Sequence, residues 1–505
     1  MSLPEHSLFS IPTRQSPVAI ILILLKLVRT LFRQLWPLLL VLLFNPRGEV
    51  GGYITPFIIG IAAISAIRSI ISYFRYYFYI QDRELIIEQG VFQHTRTAIP
   101  FDRIQSISLN QGPIHQLFGV SSLDIDTAGS SGSELSITAL SAQEANQLRT
   151  FVLSQKNSDV SLEEASEELE EPASTVVAAP QKKLLLELDI PDLLKIGVSQ
   201  NHLRTAGILF AFSLSVLDDL EQVVGPEMYK LIEERFGEIF TSFIWASVIL
   251  AVLFLIISFA LSLFFSVLRN YQLRFYRTEI GFQIQAGLLD RREQTISLRK
   301  IQFIRWSANP FQRFFKLYRL RLYQASSVAV SAQGAMTVPG CYDQQLKNVQ
   351  AAYFPDWEAA EKTLHGVSAY LIRRRFIIHG LLPAGIFFLI NIGSPVQGLI
   401  GMALWLIFSY FWNLRYQRFW KIWLGEIGVE AHYGLLTRHR FLLHWRHLQS
   451  TKIRQSFIQK RMEVADLLLY TAAGTLHIPY LPVEKAKALR DYILYRVESS
   501  QESWM

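Results

Sequence analysis

The sequence predicts a polytopic α-helical membrane protein of about six spans, arranged as three hairpins. These carry three small β-sheet or barrel domains, each closed by a C-terminal helix. Three observations predict this class. Six apolar runs come in close pairs, positive charge gathers on one side of them, and a 27-residue pattern returns after each pair.

Half of the 505 residues are apolar and only 18% are charged, a balance foreign to an ordinary soluble enzyme. The apolar residues gather at Leu31–Phe44, Ile54–Phe74, Thr205–Leu217, Phe240–Val267, Phe376–Ile390 and Val396–Trp412. Phe240–Val267 is 28 residues without a charge, more than the roughly 20 needed to cross a hydrocarbon core. The shorter runs begin beside Lys26, Arg29 and Arg33, beside Arg204, and beside Arg373, Arg374 and Arg375. Such long basic side chains keep their charge at the headgroups while their stems lie in apolar surroundings. No basic start with a small-residue cleavage site is legible at the N-terminus, so no cleaved signal peptide is expected. The single cysteine, Cys341, excludes an intramolecular disulfide and argues against a cysteine-based metal site.

Charge orients the spans. The connection Asp218–Glu238 inside the second pair holds seven acidic residues against Lys230 and Arg235, whereas Arg269–Arg321 after that pair has twelve basic and three acidic residues. Trp412–Arg461, after the third pair, has ten basic and two acidic residues. Basic flanks stay on the cytoplasmic side, so both termini and all three domains are expected in the cytoplasm of a bacterial cell membrane. Residues 1–75 then hold the first hairpin, 76–154 the first domain and 155–183 an acidic flexible linker. The second hairpin follows at 184–268, the second domain at 269–355, the third hairpin at 356–413 and the third domain at 414–498. The linker expectation rests on Asn157–Gln181, with seven acidic residues and no basic one, too polar to bury a core.

The repeat is the most specific signal. QDRELIIEQGVFQHTRTAIPFDRIQSI (81–107), TEIGFQIQAGLLDRREQTISLRKIQFI (278–304) and GEIGVEAHYGLLTRHRFLLHWRHLQST (425–451) superpose without gaps. Gly90, Gly287 and Gly434 coincide, as do Gln105, Gln302 and Gln449 after an apolar Ile104, Ile301 or Leu448. Alternating Ile280, Phe282 and Ile284 before Gly287, and further alternation after it, spell strand, bend and strand. Glycine suits such a bend because it accepts positive φ. The residue before each glutamine is expected to face a core, with the glutamine tied to a neighbouring turn. Helix-like stretches at Ala142–Leu153, Asp343–Ala352 and Val483–Tyr495 end the copies.

This arrangement resembles the multi-copy membrane form of the bacterial pleckstrin-homology-like family once called domain of unknown function 304, of the bPH2 type. The matching features are the hairpin, the aromatic entries YFRYYFY (73–79), LRNYQLRFY (268–276) and LRYQRFW (414–420), the glycine and the I-Q phrase. NPFQRFF (309–315) and DTAG (126–129) complete the set. The first copy reads NQGPIHQLF at the middle piece, the second has Ser326 for the final glycine, and the third lacks both N-P and Q-R. The resemblance implies PH-like domains, membrane attachment and no established reaction, in a setting of envelope stress or antimicrobial-peptide tolerance.

No phosphate loop, nucleophile elbow, dinucleotide fingerprint or zinc-protease pattern appears. His432, His439, His444 and His447 cluster in the third copy, and a regular strand would point His444 and His447 to opposite faces. No catalytic residue, cofactor or metal site is expected, and the chain is read as a non-enzyme. Electrostatics remain. Arg319 and Arg321 alternate with Leu320 and Leu322, placing both guanidiniums on one strand face, and Arg305, Trp306, Arg313 and Lys316 precede them in what reads as a loop. Arg313, Lys316, Arg319 and Arg321 are the expected anionic contacts, and Trp306, with Phe311 and Phe314 nearby, the interfacial anchor. Each such cation near an anionic leaflet adds about 1 kcal/mol. The expected partners are anionic inner-leaflet lipids and a smaller one-domain membrane protein of the same kind, with no nucleic acid. The function expected is a membrane scaffold or sensor. A lipid or peptide transporter and a purely protein-binding subunit of a heteromeric complex are the alternatives.

Overall fold

The computed structural model describes residues 9–44, 49–90, 93–127, 135–152, 182–200, 207, 244–324, 335–355 and 357–499. The third apolar run apart from Gly207, the acidic connection Asp218–Glu238 and the linker Asn157–Gln181 lie outside them.

Apolar sequence becomes helix as expected. Val18–Phe44 packs against Glu49–Phe74, and Ile190–Val198 against Ile244–Asn270. The segments Tyr370–Phe376, Ile377–Leu381 and Leu382–Ile390 run on as one helix with a π-turn at its centre, packed against Pro395–Arg418. Among the described residues, Val252–Asn270 and Pro395–Arg418 are the two helices long and apolar enough to cross a membrane, fewer than the six runs expected, and Ile59–Phe74 is shorter. Ile256, Phe264, Leu404 and Phe408 point outward from the first two, as lipid-facing side chains do.

Each repeat copy folds into two small sheets joined by a corner. The first module has β1 (Tyr77–Gln81), β2 (Glu84–Gln89) and β3 (Thr95–Pro100). Its second sheet has β4 (Ile104–Gln111), β5 (Val120–Thr127) and β6 (Leu135–Ser141), closed by the helix 142–152. The second module has β7 (Lys183–Glu187), β8 (Arg274–Arg277), β9 (Gly281–Ala286) and β10 (Arg291–Ser297). Then come β11 (Ile301–Ala308), β12 (Tyr318–Gln324), β13 (Ala335–Cys341) and the helix Asp343–Tyr353. The third has β14 (Lys362–His365), β15 (Lys421–Gly425), β16 (Gly428–Tyr433) and β17 (Arg438–His444). It ends with β18 (Leu448–Arg454), β19 (Val464–Thr471), β20 (Gly474–Pro482) and the helix Val483–Glu498. Strands β7 and β14 precede their hairpins, so the ranges expected for the second and third domains, 269–355 and 414–498, leave out each module's own first strand.

The recurrent I-Q phrase is that corner. A 3-10 turn stands before each copy, at Phe101–Arg103, Leu298–Lys300 and Trp445–His447. The ladder then skips one residue, between Ile104 and Ser106, Ile301 and Phe303, and Leu448 and Ser450. Gln105, Gln302 and Gln449 are therefore bulge residues, which bend a strand away from one sheet and into the next. The residue before each is buried, as expected. Gly90, Gly287 and Gly434 all have φ between +91° and +124°, and a side chain there would collide with the carbonyl oxygen three residues on. A further equivalent site, where the chain leaves the short helix after β4, β11 or β18, has Gly119, Lys316 and Glu463 at positive φ.

The modules are not separate lobes. One seven-stranded sheet runs β6-β5-β4-β10-β9-β8-β7 and another β13-β12-β11-β17-β16-β15-β14, so neighbouring modules share continuous sheets. Successive residues of β11 then serve different cores: Ile304 packs in that of the second module and Phe303 in that of the third. On β17, Leu442 and Leu443 divide in the same way. Each shared sheet thus buries opposite faces in its two halves, as the alternation of side chains along a strand allows.

Candidate anion-binding seams

The two seams are built in one register. Gln111, Asn110, Leu109 and Ser108 of β4 stand opposite Arg291, Arg292, Glu293 and Gln294 of β10. The equivalent Ala308, Ser307, Trp306 and Arg305 of β11 stand opposite Arg438, His439, Arg440 and Phe441 of β17. Each seam encloses a cleft at equivalent positions. The first, of about 310 Å³, is lined by Leu109, Gln272, Arg274, Gly287, Arg291 and Glu293 among others. The second, of about 510 Å³, is lined at the same places by Trp306, Phe419, Lys421, Gly434, Arg438 and Arg440, with Arg313 added. Both open directly beyond an apolar helix, since Gln272 follows Ile244–Asn270 and Phe419 follows Pro395–Arg418.

The second seam is the more basic. Its lining has four cations, Arg313, Lys421, Arg438 and Arg440, and no carboxylate. Behind it lies Glu430, whose Oε1 accepts from Arg440 at 2.7 Å and whose Oε2 accepts from the Trp357 indole at 2.8 Å. Burial alone would raise the Glu430 pKa, but the His432 hydrogen bond, the Arg440 charge and the Trp357 indole hold it at about 2. At the first seam Glu293 lies in the lining itself, and Glu187 binds Arg274 at 2.8 Å.

Arg305, Arg319 and Arg321 gather on the β11–β12 surface beside this cleft, with Arg305 directly opposite Arg321. Burial, then the charge of Arg321, lowers the pKa of Arg319. The Arg305 guanidinium lies over the rings of Phe303, Tyr323 and Phe441 at 5.4–5.6 Å. The buried Nε atoms of Arg305, Arg313 and Arg321 have no hydrogen-bond partner. His439 joins the two groups: it lines the cleft, and its pKa is pushed down to about 4 by burial and then by Arg305 and Arg321. Crowded guanidiniums with unspent donors suit a phosphate-type anion.

The expected contacts are thus partly brought together. Arg313 lines the cleft and donates to the Leu436 carbonyl at 3.2 Å, and its pKa is lowered by burial and by Arg438. Arg319 and Arg321 share a strand face, as expected. Lys316 is exposed outside the cleft, at the left-handed turn. Trp306 does not serve as an interfacial anchor. It is 3% exposed, sits in the second core and lies beneath the Arg440 guanidinium at 5.1 Å. Phe311 and Phe314, on the short helix Pro310–Phe314, are the exposed aromatics, and Leu117 and Phe457 occur on the corresponding helices. Arg305 belongs to β11 rather than to a loop. Lys421, Arg438 and Arg440 were missed because nothing in one copy shows that it completes another's cleft, although RHR at 438–440 aligns with RRE at 291–293.

The four histidines do not gather as one cluster. The 3-10 turn Trp445–His447 breaks the strand, so His444 and His447 come together edge to face, with ring centroids 6.1 Å apart, rather than facing opposite ways. Gln302 approaches His447 while Gln449 is exposed, so the repeat glutamines share a backbone role and not a common side-chain site.

A sequence model of the bacterial PH domain matches this chain three times, over residues 20–156, 224–361 and 377–497. The chain belongs to the bacterial PH domain family. Each of these PH domain matches takes in at least one helix of a hairpin together with the strands after it. The UPF0699 transmembrane protein YdbT of Bacillus subtilis (strain 168) is 24% identical over 468 residues, covering 90% of this chain and 91% of that protein. The UPF0699 transmembrane protein YdbS of the same organism is 32% identical over 73 residues, 14% of this chain and 44% of that protein. No solved structure matches. This is a membrane protein of repeated bacterial PH domains, in a transmembrane family that is not a known enzyme family.

Proposed function

We propose that the chain is a non-enzymatic membrane scaffold whose module seams hold anionic lipid headgroups at the cytoplasmic surface. The observation that carries this reading is the repeated cleft: the same positions form it at both seams, directly beyond an apolar helix, and the second is lined by four cations without a carboxylate. The hairpins hold the clefts beside lipid, so headgroup phosphate is the nearest anion. Phe311, Phe314, Leu117 and Phe457, all exposed, dip their apolar ends into the interface. In this reading all three hairpins cross the membrane, six passes in total, and the basic ends of the helices stay inside with both termini.

Full-length protein in a neutral detergent tests it. Trp306 and Trp423 line the second cleft, so their fluorescence reports its occupation during titration with short-chain phosphatidylglycerol or phosphatidylcholine. Phosphatidylglycerol is expected to produce a saturable change that the zwitterionic lipid does not. Lys421→Glu with Arg438→Glu, or Arg319→Glu with Arg321→Glu, is expected to weaken the response by about tenfold or more, given about 1 kcal/mol per cation. Equal responses to the two lipids, or no loss in either double variant, overturn the assignment.

A further inference from the structure

Strands β4 and β11 each receive a strand of the next module. The third equivalent, β18, has β19 on one side and no strand on the other among the described residues. Its outer row is correspondingly open: Gln449, Ser450, Lys452 and Arg454 are exposed, where the equivalent residues of β11 are buried or half-buried. At the other end of the chain β3, the counterpart of β10 and β17, also lacks an outer neighbour among the described residues. Such unpaired edges invite another strand.

Charge on the closing helices decides which strand fits. Superposing their buried faces, Ala145, Leu148 and Val152 on Leu346, Val349 and Tyr353 and on Ala486, Leu489 and Ile493, aligns Arg149 with Gln350 and Arg490. Arg149 reaches across the first seam to an ion pair with Glu293 and donates to Thr295 Oγ1 at 2.8 Å. At the second seam the residue in the place of Glu293 is Arg440, and the helix correspondingly has the neutral Gln350. The first seam thus pairs opposite charges, and the second sets no helix cation against Arg440. Arg490 is the third such residue, half-exposed and paired to Asp491, its neighbour in sequence. On β3 the residue in the place of Glu293 is Arg96, and a second copy docking through it would set Arg96 against Arg490.

We propose that β18 and the helix Val483–Glu498 form the docking surface for a PH-like module of a separate chain, whose β10-type strand carries a carboxylate at the position of Glu293. Main-chain pairing continues the seam register, and the partner carboxylate meets Arg490 as Glu293 meets Arg149. Arg96 keeps a second copy of this chain from that place. Without it, the dissimilar edges β18 and β3 would join copies head to tail without closure. The smaller one-domain protein expected from the sequence is an occupant of this description. Docking is independent of any headgroup in the clefts.

The full-length chain supplies its own probe, because Cys341 is buried and is the single cysteine. The seam register places Arg454 opposite Thr95 of a docked second copy. One tagged chain with Arg454→Cys and another with Thr95→Cys are mixed in detergent and oxidised, and the disulfide-linked dimer is measured. With Arg96 and Arg490 both native, little dimer is expected. Arg96→Glu on the Thr95→Cys chain, or Arg490→Glu on the Arg454→Cys chain, is expected to raise it by about tenfold or more, since like-charge contacts exclude and opposite charges admit. Both reversals together should return it to the starting level. Strong dimer with both arginines native, or no gain from either single reversal, overturns the proposal.

Discussion

A methyl group at Gly287 would run into the carbonyl oxygen of Asp290, on a backbone at φ +112° that side chains seldom adopt. Gly90 and Gly434 occupy the same place against Gln93 and Thr437. Gly287→Ala is accordingly expected to cost about 1–3 kcal/mol, seen as a lower thermal midpoint of the detergent-solubilised chain. An unchanged midpoint would mean that the bend has another origin. The polar residues show a different economy at the same scale. In NPFQRFF the Asn309 side chain accepts from the Gln312 amide while the Gln312 side chain accepts from the Asn309 amide. The third copy has lost the asparagine and the proline and kept the bonds, with Ser456 and Gln459 in the same capping box. A serine and an asparagine cap a helix by the same means.

At the scale of elements, β11 belongs to two modules at once. Phe303 leaves the second module's strand to stack between Tyr323 and Phe441, with ring centroids at 4.3 and 4.6 Å, and it is buried in the third module's core. Phe303→Ala is expected to cost about 3–5 kcal/mol. The loss should fall on the third module rather than on the one that carries the residue. Hydrogen exchange would show faster opening of β15, β16 and β17 than of β9 and β13; the reverse order would contradict shared cores. Cutting the chain between modules would expose such a strand edge, so the modules are not expected to behave as independent beads.

Across the whole molecule the modules lie edge to edge, and their second union is expected to be sensitive to protons. His447 stacks on Tyr353 of the second module, and His444 lies 5.1 Å from the Phe354 ring. Burial, then the nearby Arg446 charge, pushes His444 down to about 4 and His447 to about 3. The folded union binds fewer protons than separated modules would. It is therefore expected to hold above the ordinary histidine pKa of about 6.5 and to weaken as pH falls from there toward 4. Tryptophan fluorescence or exchange at β11 and β17 between pH 7 and 4 should follow that loss, and His447→Phe should reduce its steepness. A flat profile in both would separate these histidines from the union.

Apolar helices, three sheet-forming copies, the turn glycine and the buried residue before each glutamine were legible in the sequence. They depend on local patterns, namely apolar runs, alternation and a backbone conformation that admits glycine. The placing of Arg319 and Arg321 on one face was legible for the same reason, because strand alternation is local. Sequence alone did not reveal that Trp306 is interior, that Arg305 stands in a strand, or that Lys421, Arg438 and Arg440 complete a cleft begun by Arg313. Those facts arise where β11 meets β17, two strands more than a hundred residues apart. Edge-to-edge pairing is made of backbone hydrogen bonds that nearly any side chain permits, so it leaves little trace in residue identity. Only the folded chain decides which edges meet and which remain open.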